Sequence, residues 1–137
     1  MLINQLYNYR DINMHERPTV RLLLDAFEKR NFTNAELLVK NQGVDVNQII
    51  DQDSGETCLH WAVRNGDADT VGFLLYHKAE VDVKNKSNQT PIQLALDPVL
   101  KAFNGDSKQY REVIEKYNYI VAYLRYVGAI LPPDFAV

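Results

Sequence analysis

Gly55-Glu56-Thr57-Cys58-Leu59-His60-Trp61-Ala62-Val63-Arg64-Asn65-Gly66-Asp67 is the stretch whose reading decides the fold. Its core returns further along the chain. Asp53-Ser54-Gly55-Glu56-Thr57-Cys58-Leu59-His60-Trp61-Ala62 aligns with Lys86-Ser87-Asn88-Gln89-Thr90-Pro91-Ile92-Gln93-Leu94-Ala95, with Thr57 on Thr90, Leu59 on Ile92 and Ala62 on Ala95 at an offset of 33. A fainter copy spans Leu22 to Val46, with Ala26 standing 36 residues before Ala62. A period near 33 residues is the length of one supersecondary unit, so the chain reads as an array.

Each unit predicts two short helices. Thr57–Asn65 carries Leu59, Ala62 and Val63 on one side, and Gly66 breaks it, being able to take positive φ at a helix end. Asp67 or Asp69 caps the next helix, where Val71, Leu74 and Leu75 recur at i, i+3, i+4. Val81-Asp82-Val83 is too short for a separate strand and reads as one arm of a loop hairpin. Helices this short cannot bury their apolar faces alone, so neighbouring units must stack.

These residues carry a family resemblance. Gly55–Asp67 resembles the ankyrin-repeat signature G-x-T-P-L-H-x-A-A-x-x-G-H, and Val71–Val83 its continuation V-x-x-L-L-x-x-G-A-D-V-N. The match is looser in Asn88–Leu96, where Gln93 replaces His, and loosest in Leu22–Asn47, where Arg30 replaces Gly. Cys58 for Pro, Asp67 for His and Lys78 for Gly are further departures. The resemblance implies an all-α, ankyrin-type helical solenoid of stacked helix-turn-helix units with short hairpin loops and helical caps. One domain over 1–137 is expected: an N-terminal capping helix in 1–17 (Leu2, Ile3, Leu6, Tyr7), repeats at 18–51 and 52–84, and a last repeat at 85–131.

The last repeat departs most. Val71 maps to Val121, an offset of 50 that leaves 17 extra residues, placed in Asp97–Ser107 and the start of the next helix. Pro98 should stop or kink the helix before it, and Asn104-Gly105 signals a turn. A long helix is expected over Lys108–Val127, capped by Asp106 or Ser107, with Tyr110, Val113, Ile114, Tyr117, Val121 and Leu124 along one face. Gly128 and Pro132-Pro133 end it. The inserted segment is a candidate second contact region.

Composition narrows the function. The chain has 137 residues, 46% hydrophobic and 24% charged, which suits a folded domain. A net charge of −3 does not provide the basic surface of a generic nucleic-acid binder, and no apolar run approaches bilayer length. The amino terminus lacks the basic start of a secretory signal, and one cysteine cannot close an intramolecular disulfide. An intracellular protein is expected, or one delivered into a host cell as an effector. No phosphate-binding loop, nucleophile elbow, C-x-x-C or H-E-x-x-H occurs, so catalysis has no visible home. Asp51-Gln52-Asp53-Ser54-Gly55-Glu56 fails as a calcium loop, because Gly55 is fifth rather than sixth and the twelfth residue is Ala62. No cofactor, metal, nucleic acid or membrane partner is expected.

The resemblance gives Thr57 and His60 a structural part at the helix start and between units. Cys58, also at a helix start, is the alternative seat for a reactive thiol. The resemblance further implies a protein partner, bound by the concave face of hairpin tips and first helices. Carried over by position, the candidates are Asp53, Ser54 and Glu56 in the middle unit and Lys86, Ser87 and Gln89 one unit on. Arg64 and Asn65 lie at the groove end of the first helix, with Glu28 and Lys29 as their earlier counterparts. Trp61 is either a half-buried contact between units or an anchor facing the groove. Tyr119 and Tyr126, seven apart on one face, are expected outward as contact residues, whereas Tyr110, Tyr117 and Tyr123 are expected inward. The reading is a non-enzymatic, monomeric protein-interaction module. The alternative is a regulatory or targeting domain of a larger protein or of an effector, such as a bacterial one acting in a host cell.

Overall fold

The computed structural model describes residues 19–103 and 107–133. The expected capping helix in 1–17 and the Asn104-Gly105 turn lie outside the described residues, as does Asp106. Six helices and one small hairpin are described: α1 (Val20–Glu28), α2 (Phe32–Gln42), β1 (Ile49–Asp51), β2 (Glu56–Thr57), α3 (Cys58–Arg64), α4 (Ala68–Tyr76), α5 (Pro91–Phe103) and α6 (Ser107–Tyr126). The chain divides into two compact units, Met1–Asp45 and Val46–Val137.

In the first unit α1 packs against α2. Val20, Leu23, Ala26 and Phe27 recur at helical spacing and are buried, as are Ala35 and Leu38 of α2. The turn between the helices uses the chemistry of the 62–67 turn. Arg30 N–H donates to the Phe27 carbonyl and Asn31 N–H to that of Ala26, as Gly66 does to Val63 and Asp67 to Ala62. Asn31 then caps α2 through Asn34 N–H at 3.1 Å, and Asp67 caps α4 through Thr70 N–H at 3.2 Å.

The second unit holds two helix pairs side by side. α3 packs on α4 and α5 on α6, while α3 also packs on α5 and α4 on α6. Leu59, Ala62 and Val63 of α3, Val71 and Leu74 of α4, Ile92 and Ala95 of α5, and Ile120 and Leu124 of α6 form its buried centre. Leu59 and Ile92 therefore occupy equivalent turns of one array, which is what the 33-residue offset requires. β1 and β2 pair antiparallel, with Ile49 opposite Thr57.

The seventeen additional residues of the last pair make helix rather than loop. α5 has 13 residues where α3 has 7, and α6 has 20 where α4 has 9, which accounts for all of them. Pro98 does not end its helix: α5 runs through it to Phe103. A mid-helix proline costs roughly 3 kcal/mol, and packing of the lengthened α5 along α6 offsets it. The buried stripe of α6 is also rotated from the expectation. Tyr117, Ile120 and Leu124 are buried, Val121 is only half-buried, and Tyr123, expected inward, is exposed.

Non-glycine residues stand where the repeat geometry needs left-handed backbone. Arg30, Lys78 and Asn88 have φ of 57°, 63° and 62°, close to Gly66 at 62°, Gly43 at 66° and Gly55 at 70°. The repeat hydrogen bonds are kept at a local cost. That conformation costs an L-residue about 1–2 kcal/mol, partly offset by the lower chain entropy of a non-glycine unfolded state. Lys78→Gly is therefore expected to raise stability by roughly 0.5–1 kcal/mol, read by denaturant titration. A lower midpoint would show that the lysine stem packs usefully.

Candidate functional site

The hairpin flank of the second unit is built around Thr57 and His60. Thr57 is the N-cap of α3, and its N–H donates to His60 Nδ1 at 3.2 Å. This leaves the other ring nitrogen to donate, and Nε2 lies 3.1 Å from the Gln89 carbonyl oxygen in the next hairpin. His60 thus joins its own helix start to the neighbouring loop. Both residues are buried, so their role is the structural one implied by the resemblance. Gln93 repeats the first half one unit on, its Oε1 accepting Thr90 N–H at 2.8 Å.

Burial pushes the His60 imidazole below its ordinary pKa of 6.5, although the Gln89 carbonyl and the Glu56 charge pull the other way. The unfolded chain then takes up this proton at higher pH than the folded chain. The stabilising contribution is complete above pH 6.5 and is lost as pH falls through 6.5 toward the folded value. Melting temperatures measured from pH 7.5 to 5 should fall more for the native chain than for His60→Gln. Parallel curves would rule out His60 as the titrating group.

The two hairpins lie against each other. Lys86 N–H donates to the Ser54 carbonyl at 2.8 Å, and the Lys86 ammonium donates to the Gln52 carbonyl. A Cβ on Gly55 would stand 3.2 Å from Lys86 N, so glycine is needed there both for its positive φ and for the approach of the neighbouring chain. Asn85, which sequence reasoning missed, organises the second loop. Its Oδ1 accepts the Ser87 and Gln89 N–H groups at 3.0 and 2.9 Å, and its Nδ2 donates to Glu56 Oε2 at 3.0 Å. The only signal in the sequence was a loop asparagine, a residue that commonly bonds its own backbone in turns.

Glu56 corrects an expectation. It was placed among the outward hairpin residues, yet it is 8% exposed. Arg64 Nε and Nη2 grip its carboxylate at 2.8 and 2.6 Å. Burial, the largest single influence, opposes its ionisation, but the bonds from Arg64 and Asn85 and the Arg64 charge outweigh it and hold the pKa below 4.5. Glu56 is thus an interior bracket between α3 and the next hairpin.

The other candidates divide by exposure. Asp53, Arg64, Asn65, Lys86 and Ser87 are exposed on the hairpin and α3 flank, and Ser54, Trp61 and Gln89 are half-buried. Asn65 Nδ2 donates to the Trp61 carbonyl at 2.7 Å. Tyr119 and Tyr126 are 64% and 91% exposed on α6, away from the buried stripe formed by Tyr117, Ile120 and Leu124. Tyr117 turns inward, and its hydroxyl donates to the Arg64 carbonyl at 3.2 Å. Cys58 is buried. Among the described residues, no group of three or more His, Cys, Asp or Glu could hold a metal ion, and no helix is long and apolar enough to cross a membrane.

Comparison with known proteins agrees with this geometry. A family model for ankyrin repeats, spanning three copies, matches residues 22–98, more than half of the chain. The chain is also 35% identical over 91 residues to FPV031, named as an ankyrin repeat protein, of Fowlpox virus (strain NVSL). That match takes in 63% of the chain and 25% of the viral protein, so the chain spans about a quarter of the length of this relative. The recurring helix pairs, the Thr–His bracket between hairpins and the family match agree, and the chain belongs to the ankyrin repeat family.

Proposed function

We propose that this chain is a non-enzymatic binding module that grips a protein partner through its hairpin tips and first helices. Ankyrin repeats are generally protein–protein interaction modules. The observation that carries the reading for this chain is the direct pairing of successive hairpins through Lys86 N–H and the Ser54 carbonyl. This pairing joins the exposed Asp53, Lys86 and Ser87 into one continuous polar flank, with Asn65 and the half-buried Trp61 behind it. Side chains held on a rigid frame lose little freedom on binding, and their mixed charges favour one partner orientation.

The test is affinity capture from cell lysate with the native chain and with Asp53→Lys/Lys86→Glu as control. The proteins captured by the native chain should be lost from the double variant at an unchanged melting temperature. Identical captured sets would overturn the reading. Loss with Tyr119→Ala/Tyr126→Ala instead would move the contact to α6. The greater length of the viral relative favours a second reading, a regulatory or targeting module within a larger or host-delivered protein. The same flank would serve there.

A further inference from the structure

A pocket of about 340 Å³ lies at the far side of the second hairpin, lined by Ser87, Gln89, Gln93, Leu96, Asp97 and Leu100 among others. The molecule itself shows what fits such a place. One unit earlier, the corresponding face is covered by the extended loop that includes 85–89. Lys86 N–H bonds the Ser54 carbonyl, and three residues later the Gln89 carbonyl accepts from His60 Nε2 at 3.1 Å. At the 33-residue offset, Ser54 becomes Ser87 and His60 becomes Gln93. No described group donates to the Ser87 carbonyl, and Gln93 Nε2 has no partner among the described residues. Gln93 Oε1 is already fixed by Thr90 N–H, which orients the amide as Thr57 orients the His60 ring.

Two substitutions give this pocket its own character. Arg64 becomes Asp97, so the cation at the earlier face is replaced by a carboxylate. Asp97 pairs with Lys101 at 3.7 Å, both side chains largely exposed, and also feels the Arg64 charge, but exposed contacts of this kind are worth little and leave the carboxylate accessible to a further cation. Gly55 becomes Asn88, which keeps the left-handed backbone at φ 62° but adds a Cβ. Because the equivalent Cβ at Gly55 would be 3.2 Å from Lys86 N, an incoming backbone must stand a few tenths of an ångström farther out at Asn88. The 2.8 Å bond to the carbonyl can lengthen by that much and remain a hydrogen bond.

We infer that this pocket is a second binding site, for an extended peptide segment carrying a basic side chain. One backbone N–H of the segment bonds the Ser87 carbonyl, the carbonyl three residues on accepts from Gln93 Nε2, and its cation lies near Asp97. The site adjoins the polar flank proposed above, sharing Ser87 with it, but does not depend on that flank being used.

The probe is a synthetic nonapeptide with the sequence of residues 81–89, Val-Asp-Val-Lys-Asn-Lys-Ser-Asn-Gln, which covers the equivalent face one unit earlier. Titrated into the full chain and followed by amide chemical shifts, it should perturb residues 87–100 and Pro132's neighbours. Asp97→Lys should weaken it about 3- to 10-fold, with a larger loss at low salt, as expected for a partly exposed charge pair. Gln93→Met should weaken it at least as much. Because that change also removes the Thr90 contact, Asp97→Lys at an exposed position is the control against misfolding. Asn88→Gly should tighten binding several-fold by admitting closer approach. Absence of perturbation at millimolar peptide, or affinities unchanged in Asp97→Lys and Asn88→Gly, would overturn the proposal. Shifts that depend on protein concentration without peptide would assign the pocket to a second copy of the chain and overturn it equally.

Discussion

Leu74→Ala is expected to lower unfolding free energy by about 2–5 kcal/mol, the range for a fully buried leucine replaced by alanine. Leu74 has no exposed surface and sits on α4, which packs against both α3 and α6. Its loss therefore opens a cavity where three helices meet. The carbonyl of Leu74 also accepts the Ala79 N–H that closes the helix, so the backbone there is fixed and cannot collapse into the space. Domains of this size are stable by only about 5–15 kcal/mol, so the substitution removes a large fraction of the total. Leu59→Ala, at 1% exposure on α3, should behave similarly. Urea unfolding followed by circular dichroism measures both. A cost below about 1 kcal/mol would mean that these helices do not shelter one another as described.

The second large effect is electrostatic. Glu56→Lys should destabilise the fold by about 3–5 kcal/mol, because breaking a buried, hydrogen-bonded ion pair strands its partners. Here the substitution also sets a second cation against Arg64 and takes an acceptor from Asn85. Half of the Arg64 side chain faces solvent, which places the effect toward the lower end. An outward Glu56, as expected from its position in the repeat, would instead leave the melting temperature unchanged on charge reversal. Thermal unfolding of Glu56→Lys and of the swap Glu56→Arg/Arg64→Glu distinguishes the two. The swap should recover part of the loss. An unchanged melting temperature in Glu56→Lys would return Glu56 to the solvent-facing set. The sign with pH follows as well. The folded-state pKa of Glu56 lies below 4.5, so its contribution is present above that value and is lost as pH falls through the folded value.

Surface chemistry was only partly legible in the sequence. Position in the repeat placed Asp53, Lys86 and Ser87 on the exposed flank. It could not distinguish Glu56 from them, because a carboxylate is drawn inward only where a guanidinium and an amide converge on it. Those partners come from 8 and 29 residues away. The tyrosines of α6 show the same division. Seven-residue spacing correctly paired Tyr119 with Tyr126, but Tyr123 faces outward because the helix is rotated to bury Ile120 rather than Val121.

By itself the sequence determined the all-helical array, because a period of 33 residues with small apolar stripes has no other way to leave water. It also determined helix ends that are set by residues close along the chain, such as the Asp67 cap and the left-handed turn at Gly66. Only the tertiary structure decided that the seventeen extra residues lengthen two helices, that Pro98 lies inside one of them, that Glu56 is an interior bracket and that Gln93 presents an amide at the far side of the last hairpin. Local rules fix a residue's backbone. Its burial and partners depend on which distant segment comes to lie against it.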